Sequence, residues 1–313
     1  MRKIALPDWF RTAAAFLLIG ATAVYLWQYQ HELQTLANLS LVLIAGVFMA
    51  RLAAYVLMVA SHWWITRQRA PAVAFSEYLL VSANGSALGT FGLPGTSYAI
   101  KTLYLKHSHG LGYADFFAVN LIAGLVTLTS SGLIALGGLT LLELTGGTSS
   151  GWIWLCAANL LVGPALLLGF SLRWLNYVQA KRFAQVKGTL TELLRDWSRL
   201  GPAFGGLALR GLISFLGFGF LFQSLSGNGL AAGGTVDALS FALRLVRVTP
   251  GNLGLYEWVV ATFAKGLGAT LAVGLLCALL YRVIGSLAML TAGLLSRLAP
   301  RPAQSADSTE TPN

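Results

Sequence analysis

Three arginines stand inside long apolar stretches of this chain: Arg51, Arg210 and Arg282. A further segment, RLVRVTPGNLGLYEWVVATFAKGLG, sets Arg244, Arg247, Glu257 and Lys265 among apolar residues. A cation at mid-bilayer costs about 2.5–3.5 kcal/mol on insertion scales, so such residues are expected to face a bundle interior or a wet cavity. The guanidinium is a planar fork of donors that matches phosphate. Arg244 and Arg247 are three apart and share a helix face. More arginine than carboxylate in apolar surroundings points to an anionic, oxygen-rich ligand, and a phospholipid head group carries such a phosphate. Arg51 and Arg282 lie far from either predicted interface. Arg210 lies close enough to a cytoplasmic helix end to snorkel. The structural alternative is internal pairing with Glu77, Asp115, Asp237 or Glu257.

The elements that must position these charges are helices. Hydrophobic residues make up 56% of the sequence and charged residues 10%, far from the quarter or so of charge in a soluble domain. The fold class expected is an all-α polytopic membrane protein, a single transmembrane domain over residues 1–299 with a polar cytoplasmic tail over 300–313. A net charge of +10 is explained by cations flanking the spans, so no nucleic-acid partner is expected. Cys156 and Cys277 fall in apolar spans with no CxxC or Cys/His cluster, which gives no disulfide framework and no metal site. His31, His62, His107 and His109 read as interfacial side chains. There is no P-loop, no HExxH and no nucleophile–base constellation, so no catalytic residue and no cofactor is assigned.

Two places interrupt the helical pattern. Pro94-Gly95 and Pro250-Gly251 stand 156 positions apart, and the same offset carries Gly110-Leu111-Gly112 onto Gly266-Leu267-Gly268. Gly254 follows the second break closely. Proline removes a donor and glycine admits unusual dihedrals, so a helix should break at each. Within a bilayer such breaks are tolerated only where protein or a wet cavity covers the freed groups. Paired interruptions in two halves mark the binding region of many transporters. Hydropathy and charge bias give six full spans, at about Trp9–Tyr29, Leu39–Trp63, Tyr113–Leu139, Trp152–Phe170, Pro202–Leu225 and Ala269–Leu294, plus two re-entrant hairpins. Repeat 1 covers about 39–140 and repeat 2 about 202–294, in inverted orientation, with both termini cytoplasmic. Lys265, on the predicted outer side, runs against that scheme. The basic segment Arg173–Arg199 reads as an amphipathic helix on the anionic inner leaflet. The offset matches Lys101 in the first hairpin with Glu257 in the second, so the halves are not chemically equivalent.

The run TPGNLGLYEWVVATFAKGLG, with an apolar stretch ending in LLYR, resembles the signature of the lysylphosphatidylglycerol synthase transmembrane-region family. The matching positions here are Pro250, Gly251, Gly254, Glu257 and Arg282, with Asn252 in place of a second turn glycine. The likeness extends more weakly to GLPGTSYAIKTLYLK, where Tyr98, Ala99 and Lys101 replace the family's usual Gly-Glu pair and arginine. It covers most of residues 10–295. The resemblance implies lipid translocation or a related accessory role, without the soluble aminoacyl-transferase domain of the family's larger members, in a bacterial or archaeal cell membrane. The expectation is therefore a lipid transporter or flippase with its ligand between the two PG hairpins. Its site residues would be Arg51, Lys101, Arg244, Arg247, Glu257 and Arg282. The alternatives are a membrane enzyme of lipid or glycan metabolism and a non-transporting subunit of a lipid-modifying complex. Partners expected are membrane phospholipid and, among proteins, a second copy of the chain or a membrane-associated biosynthetic enzyme.

Overall fold

The computed structural model describes residues 17, 20–25, 27, 28, 34, 36, 39–91, 96–177, 181–195, 197–245 and 252–298. Over these the protein is all-α. The helices are α1 (Leu41–Thr66), α2 (Phe75–Phe91), α3 (Thr96–His109), α4 (Tyr113–Leu144) and α5 (Gly151–Tyr177), then α6 (Lys181–Arg195), α7 (Trp197–Ser226), α8 (Leu230–Leu245), α9 (Leu255–Gly266) and α10 (Leu271–Leu298). Four segments are long and apolar enough to cross a membrane: α1, α4, Leu200–Ser226 of α7, and α10. Of α5, the stretch Gly151–Pro164 is apolar among the residues whose side chains are described. Most of the expected first helix, the tail over 300–313, and Pro94, Gly95, Arg247, Pro250 and Gly251 lie outside the described residues.

The offset read in the sequence carries whole helices onto whole helices. Adding 156 to the bounds of α1, α2, α3 and α4 reaches those of α7, α8, α9 and α10 to within four residues at every end. α5 and α6 link the two sets. Contacts follow the same correspondence in part. α1 packs on α7, α1 on α10 and α7 on α4, and α2 on α10 as α8 on α4. Small residues allow the α1–α7 approach, as in many membrane helix pairs. A Cβ on Gly217 would lie 3.1 Å from the Ala50 methyl, and one on Gly206 would strike the Ser61 hydroxyl.

The two sets differ in how their paired short helices are held. α9 lies closely against α10, because Gly274 faces Ala261 and Ala264. Counterparts in the first set are Ala118, Leu105 and Ser108. Leucine in place of alanine blocks the same backbone approach, and α3 accordingly touches α4 only sparsely. Leu105 is instead buried in a cluster with Val59, Tyr78, Phe116 and Ala292. The helix-ending glycine also differs. Gly110 adopts φ +66° after α3, whereas after α9 it is Gly268, at φ +87°. There the Ala269 N–H bonds the Ala264 carbonyl at 3.0 Å and the Gly268 N–H bonds that of Lys265 at 3.1 Å, a glycine-capped helix end.

The far end of the α2–α3 pair is tied by Glu77. Its carboxylate accepts from the Tyr104 hydroxyl at 2.5 Å and lies 2.8 Å from His109 Nε2. Burial raises this carboxyl, but the two partners outweigh it and hold it below the usual carboxylate range. The amphipathic α6 is docked on protein along its described apolar face. Leu190 and Leu193 are buried with Ala118, Val119 and Ile122 of α4 and Leu200, Ala203 and Leu207 of α7. Glu192 pairs with Arg69 at 2.6 Å, and Thr189 donates to Asp115 at 2.7 Å. The apolar stripe expected to lie on lipid is thus at least partly covered by the bundle.

A Cβ on Gly274 would sit 2.5 Å from the Ala261 Cα, a backbone atom that cannot yield without moving α9. Gly274→Leu should lower stability by about 1–3 kcal/mol, the usual cost of overpacking. Gly137→Ala, where nothing lies within 4 Å, should be neutral or slightly stabilising. Thermal unfolding in detergent checks both; an unchanged midpoint for Gly274→Leu would show that the α9–α10 contact is not close in solution.

Candidate anion-binding cavity

The breaks that separate α2 from α3 and α8 from α9 leave eight helices around one cavity of about 340 Å³. Each helix of both four-helix sets, or the turn leading into it, contributes to the wall, while α5 and α6 contribute no described residue. From α1 come Arg51, Tyr55 and His62; from α3, Ser97, Tyr98 and Lys101; from α10, Tyr281, Arg282 and Ser286. α7 supplies Arg210, α8 supplies Phe241, and Asn252 and Tyr256 come from the entry to α9. Four cations therefore line the space, and no Asp or Glu among the described residues does.

Aromatic faces hold the guanidinium groups. Arg51 lies 4.4 Å from the Tyr281 ring centroid, Arg210 lies 4.4 Å from that of Phe241, and Arg282 lies 5.9 Å from that of Tyr256. Stacking of this kind is worth about 0.5–2 kcal/mol or more, rising as water is excluded. Tyr281 is itself fixed, its hydroxyl donating to the Ser214 carbonyl at 3.1 Å and its ring meeting Phe218 edge-on. Gly285 makes room for Arg51, since a Cβ there would run into the guanidinium. The Arg51 Nε is buried without a hydrogen-bond partner.

Glu257 sits behind this wall. It is 1% exposed and forms an ion pair with Arg282 through Oε1. Its Oε2 accepts the Gly254 N–H at 2.8 Å. Gly254 has φ +81° and precedes the first residue of α9, so the carboxylate also satisfies an orphan amide at the helix start. The buried ion pair needs this second bond, because charges withdrawn from water are stable only when their remaining hydrogen-bonding capacity is met. Asn252, at φ +55°, makes the turn into α9, a conformation that asparagine tolerates better than most residues.

Of the residues expected at the site, Arg51, Lys101 and Arg282 meet at the cavity, and Glu257 reaches it only through Arg282. Arg244 falls in the last turn of α8, and its side chain lies outside the described set, as does all of Arg247. Among the carboxylates weighed as arginine partners, Glu77 is bound by Tyr104 and His109 and Asp115 by Thr189. Two cavity residues were not among those expected at the site. Arg210, for which snorkelling was the structural alternative, is 6% exposed and stacked on Phe241, and His62, read as an interfacial side chain, lines the cavity. Apart from Asn252 and Tyr98, which were named as departures in the two motif segments, the serine, threonine, asparagine and tyrosine members carried no sequence signal, since such residues occur throughout these helices. No protein-family model, curated protein or solved structure matches the chain.

Proposed function

We propose that this chain is an integral membrane lipid transporter of the flippase type, which moves a phospholipid or other lipid-linked phosphate between leaflets. The observation that carries the reading is the convergence of Arg51, Lys101, Arg210 and Arg282 on one cavity between the two interrupted helix pairs. A pocket of 300–1,000 Å³ is the usual size for a small ligand, and 340 Å³ accommodates a phosphate head group while acyl chains remain in the bilayer. Arginine forks and the amides at the start of a half-helix both favour an oxyanion. The enzyme reading needs an acid–base pair on one wall. Glu257 is engaged by Arg282 and Gly254, and Asp237, though buried, is not on the wall.

In this reading the α2–α3 and α8–α9 pairs are re-entrant. The four arms have 17, 14, 16 and 12 residues, whereas a crossing takes about 20. The pairs would enter from opposite faces, with six full spans around them and both termini cytoplasmic in a bacterial or archaeal cell membrane. Cysteines placed at Gly95 and Gly251, with Cys156 and Cys277 replaced, should be labelled by impermeant thiol reagents from opposite sides. Labelling of both from one side alone would rule out the inverted arrangement.

The ion pair offers a test of the transport role itself. Arg282→Gln should strip the cavity of one anion contact and leave Glu257 buried without its partner, a loss of about 3–5 kcal/mol for a broken buried pair. Glu257→Gln should also destabilise, less so, because an amide oxygen can still accept from Gly254. The double variant should regain much of the stability but no lipid scrambling in proteoliposomes. Scrambling and thermal stability recovered together in the double variant would reduce the pair to a structural role and remove Arg282 from the transport site.

A further inference from the structure

The wall of the cavity discriminates between kinds of phospholipid, and the discrimination rests on the lipid-transport reading above. A zwitterionic or aminoacylated head group brings an ammonium along with its phosphate. A carboxylate or an open aromatic face binds such a group most strongly. No described Asp or Glu lines the cavity. The carboxylate behind it, Glu257, has one oxygen on Arg282 and the other on the Gly254 amide. Five aromatic rings line the space, and three of them, Tyr281, Phe241 and Tyr256, already carry a guanidinium of the protein. An ammonium seated at those three rings would displace a like charge, and one at Tyr55 or Tyr98 would share the cavity with the four cations of its wall.

Arg51 supplies the opposite preference. It is held by a ring rather than by a carboxylate, its Nε is buried with no acceptor, and its guanidinium packs against Gly285, where a Cβ would strike it. An arginine fixed without a counter-anion is pre-organised for an incoming one. We infer that the cavity takes a lipid phosphate whose head group carries no ammonium, either a phosphate monoester or a phosphodiester with a neutral substituent, and that Arg51 is its principal contact. The inference departs from the aminoacylated lipid of the family that the sequence resembles.

The test uses the full chain in nanodiscs made from equal parts of phosphatidic acid, phosphatidylglycerol, phosphatidylethanolamine and lysyl-phosphatidylglycerol. Native mass spectrometry after delipidation reads which lipid stays. The first two should be enriched about tenfold or more over the last two, the scale of one charge-assisted hydrogen bond. Arg51→Gln should erase that enrichment while the thermal unfolding midpoint shows the variant folded, and Arg51→Lys should keep part of it. An equal enrichment in folded Arg51→Gln would assign the anionic lipid to the basic surface and overturn the inference. Retention of lysyl-phosphatidylglycerol or phosphatidylethanolamine, lost in Arg51→Gln, would overturn the head-group selectivity and leave lipid transport standing. Stabilisation by inorganic phosphate equal to that by phosphatidic acid would point to a soluble phosphate and overturn the lipid source. If no lipid is retained and none is scrambled, the transport reading falls with it.

Discussion

The Glu257 carboxylate joins three things that a membrane interior would otherwise keep apart: a buried arginine, a helix start and a chain break. One oxygen holds Arg282 and the other holds the amide of Gly254. Remove the arginine, and a carboxylate 1% exposed is left with one amide. Remove the carboxylate, and the first turn of α9 loses a partner just where the chain turns through the positive φ of Asn252 and Gly254. Neither half of the arrangement is stable alone, which ties the orientation of Arg282 at the cavity to the course of the backbone after the break. Any event that draws Arg282 toward a ligand must therefore act on the start of α9.

Among the described residues the first set of helices shows no such carboxylate bridge, and the difference follows from a few side chains. Lys101 stands where Glu257 stands in the second set, so that position offers no carboxylate to the start of α3. Leu105 stands where Ala261 lets α10 approach, so α3 keeps its distance from α4. One interrupted pair is thus clamped to its neighbouring helix by small residues and an ion pair. The other rests on α2, on the Glu77 contacts with Tyr104 and His109, and on the cluster around Leu105. Local stability follows such contacts, and the elements that move are drawn from the less contacted ones. The asymmetry lies in the contact itself: small residues set α9 close against α10, and α3 has no such approach to α4.

Much of this was legible in the sequence because it is written in one-dimensional signals. Apolar length gave the helices, Pro-Gly pairs gave the interruptions, and the shared spacing gave the correspondence of Lys101 with Glu257. Arg51 and Arg282 stood out because their distance from any interface leaves a charge nowhere else to go. Arg210 did not, since depth along a helix says nothing of which face a residue occupies or that Phe241 will cover it. His62 was missed for the same reason: its position along α1 does not say that its face lines the cavity. α6 shows a different limit. An amphipathic pattern reveals that one face is apolar, not whether lipid or protein covers it, and Leu190 and Leu193 are covered by α4 and α7.

The arrangement of cations also bears on what an empty cavity would be like. Like charges at 4 Å repel by about 4 kcal/mol at the effective dielectric of a protein near its surface, and by less when aromatic faces and solvent screen them. Four cationic side chains around one small space therefore raise the energy of the unliganded state, even with each one partly compensated by a ring or a bonded neighbour. In the proposed transport cycle, mobile water would lower that energy while the cavity is open and lose this effect as it closes. A phosphate lowers it in both forms. On the proposed transport reading, a site built in this way would resist closing when empty and would close around an anion. That is the differential affinity a ligand needs in order to shift a conformational equilibrium. The charges that select the ligand would thereby also set which state of the protein is allowed to carry it.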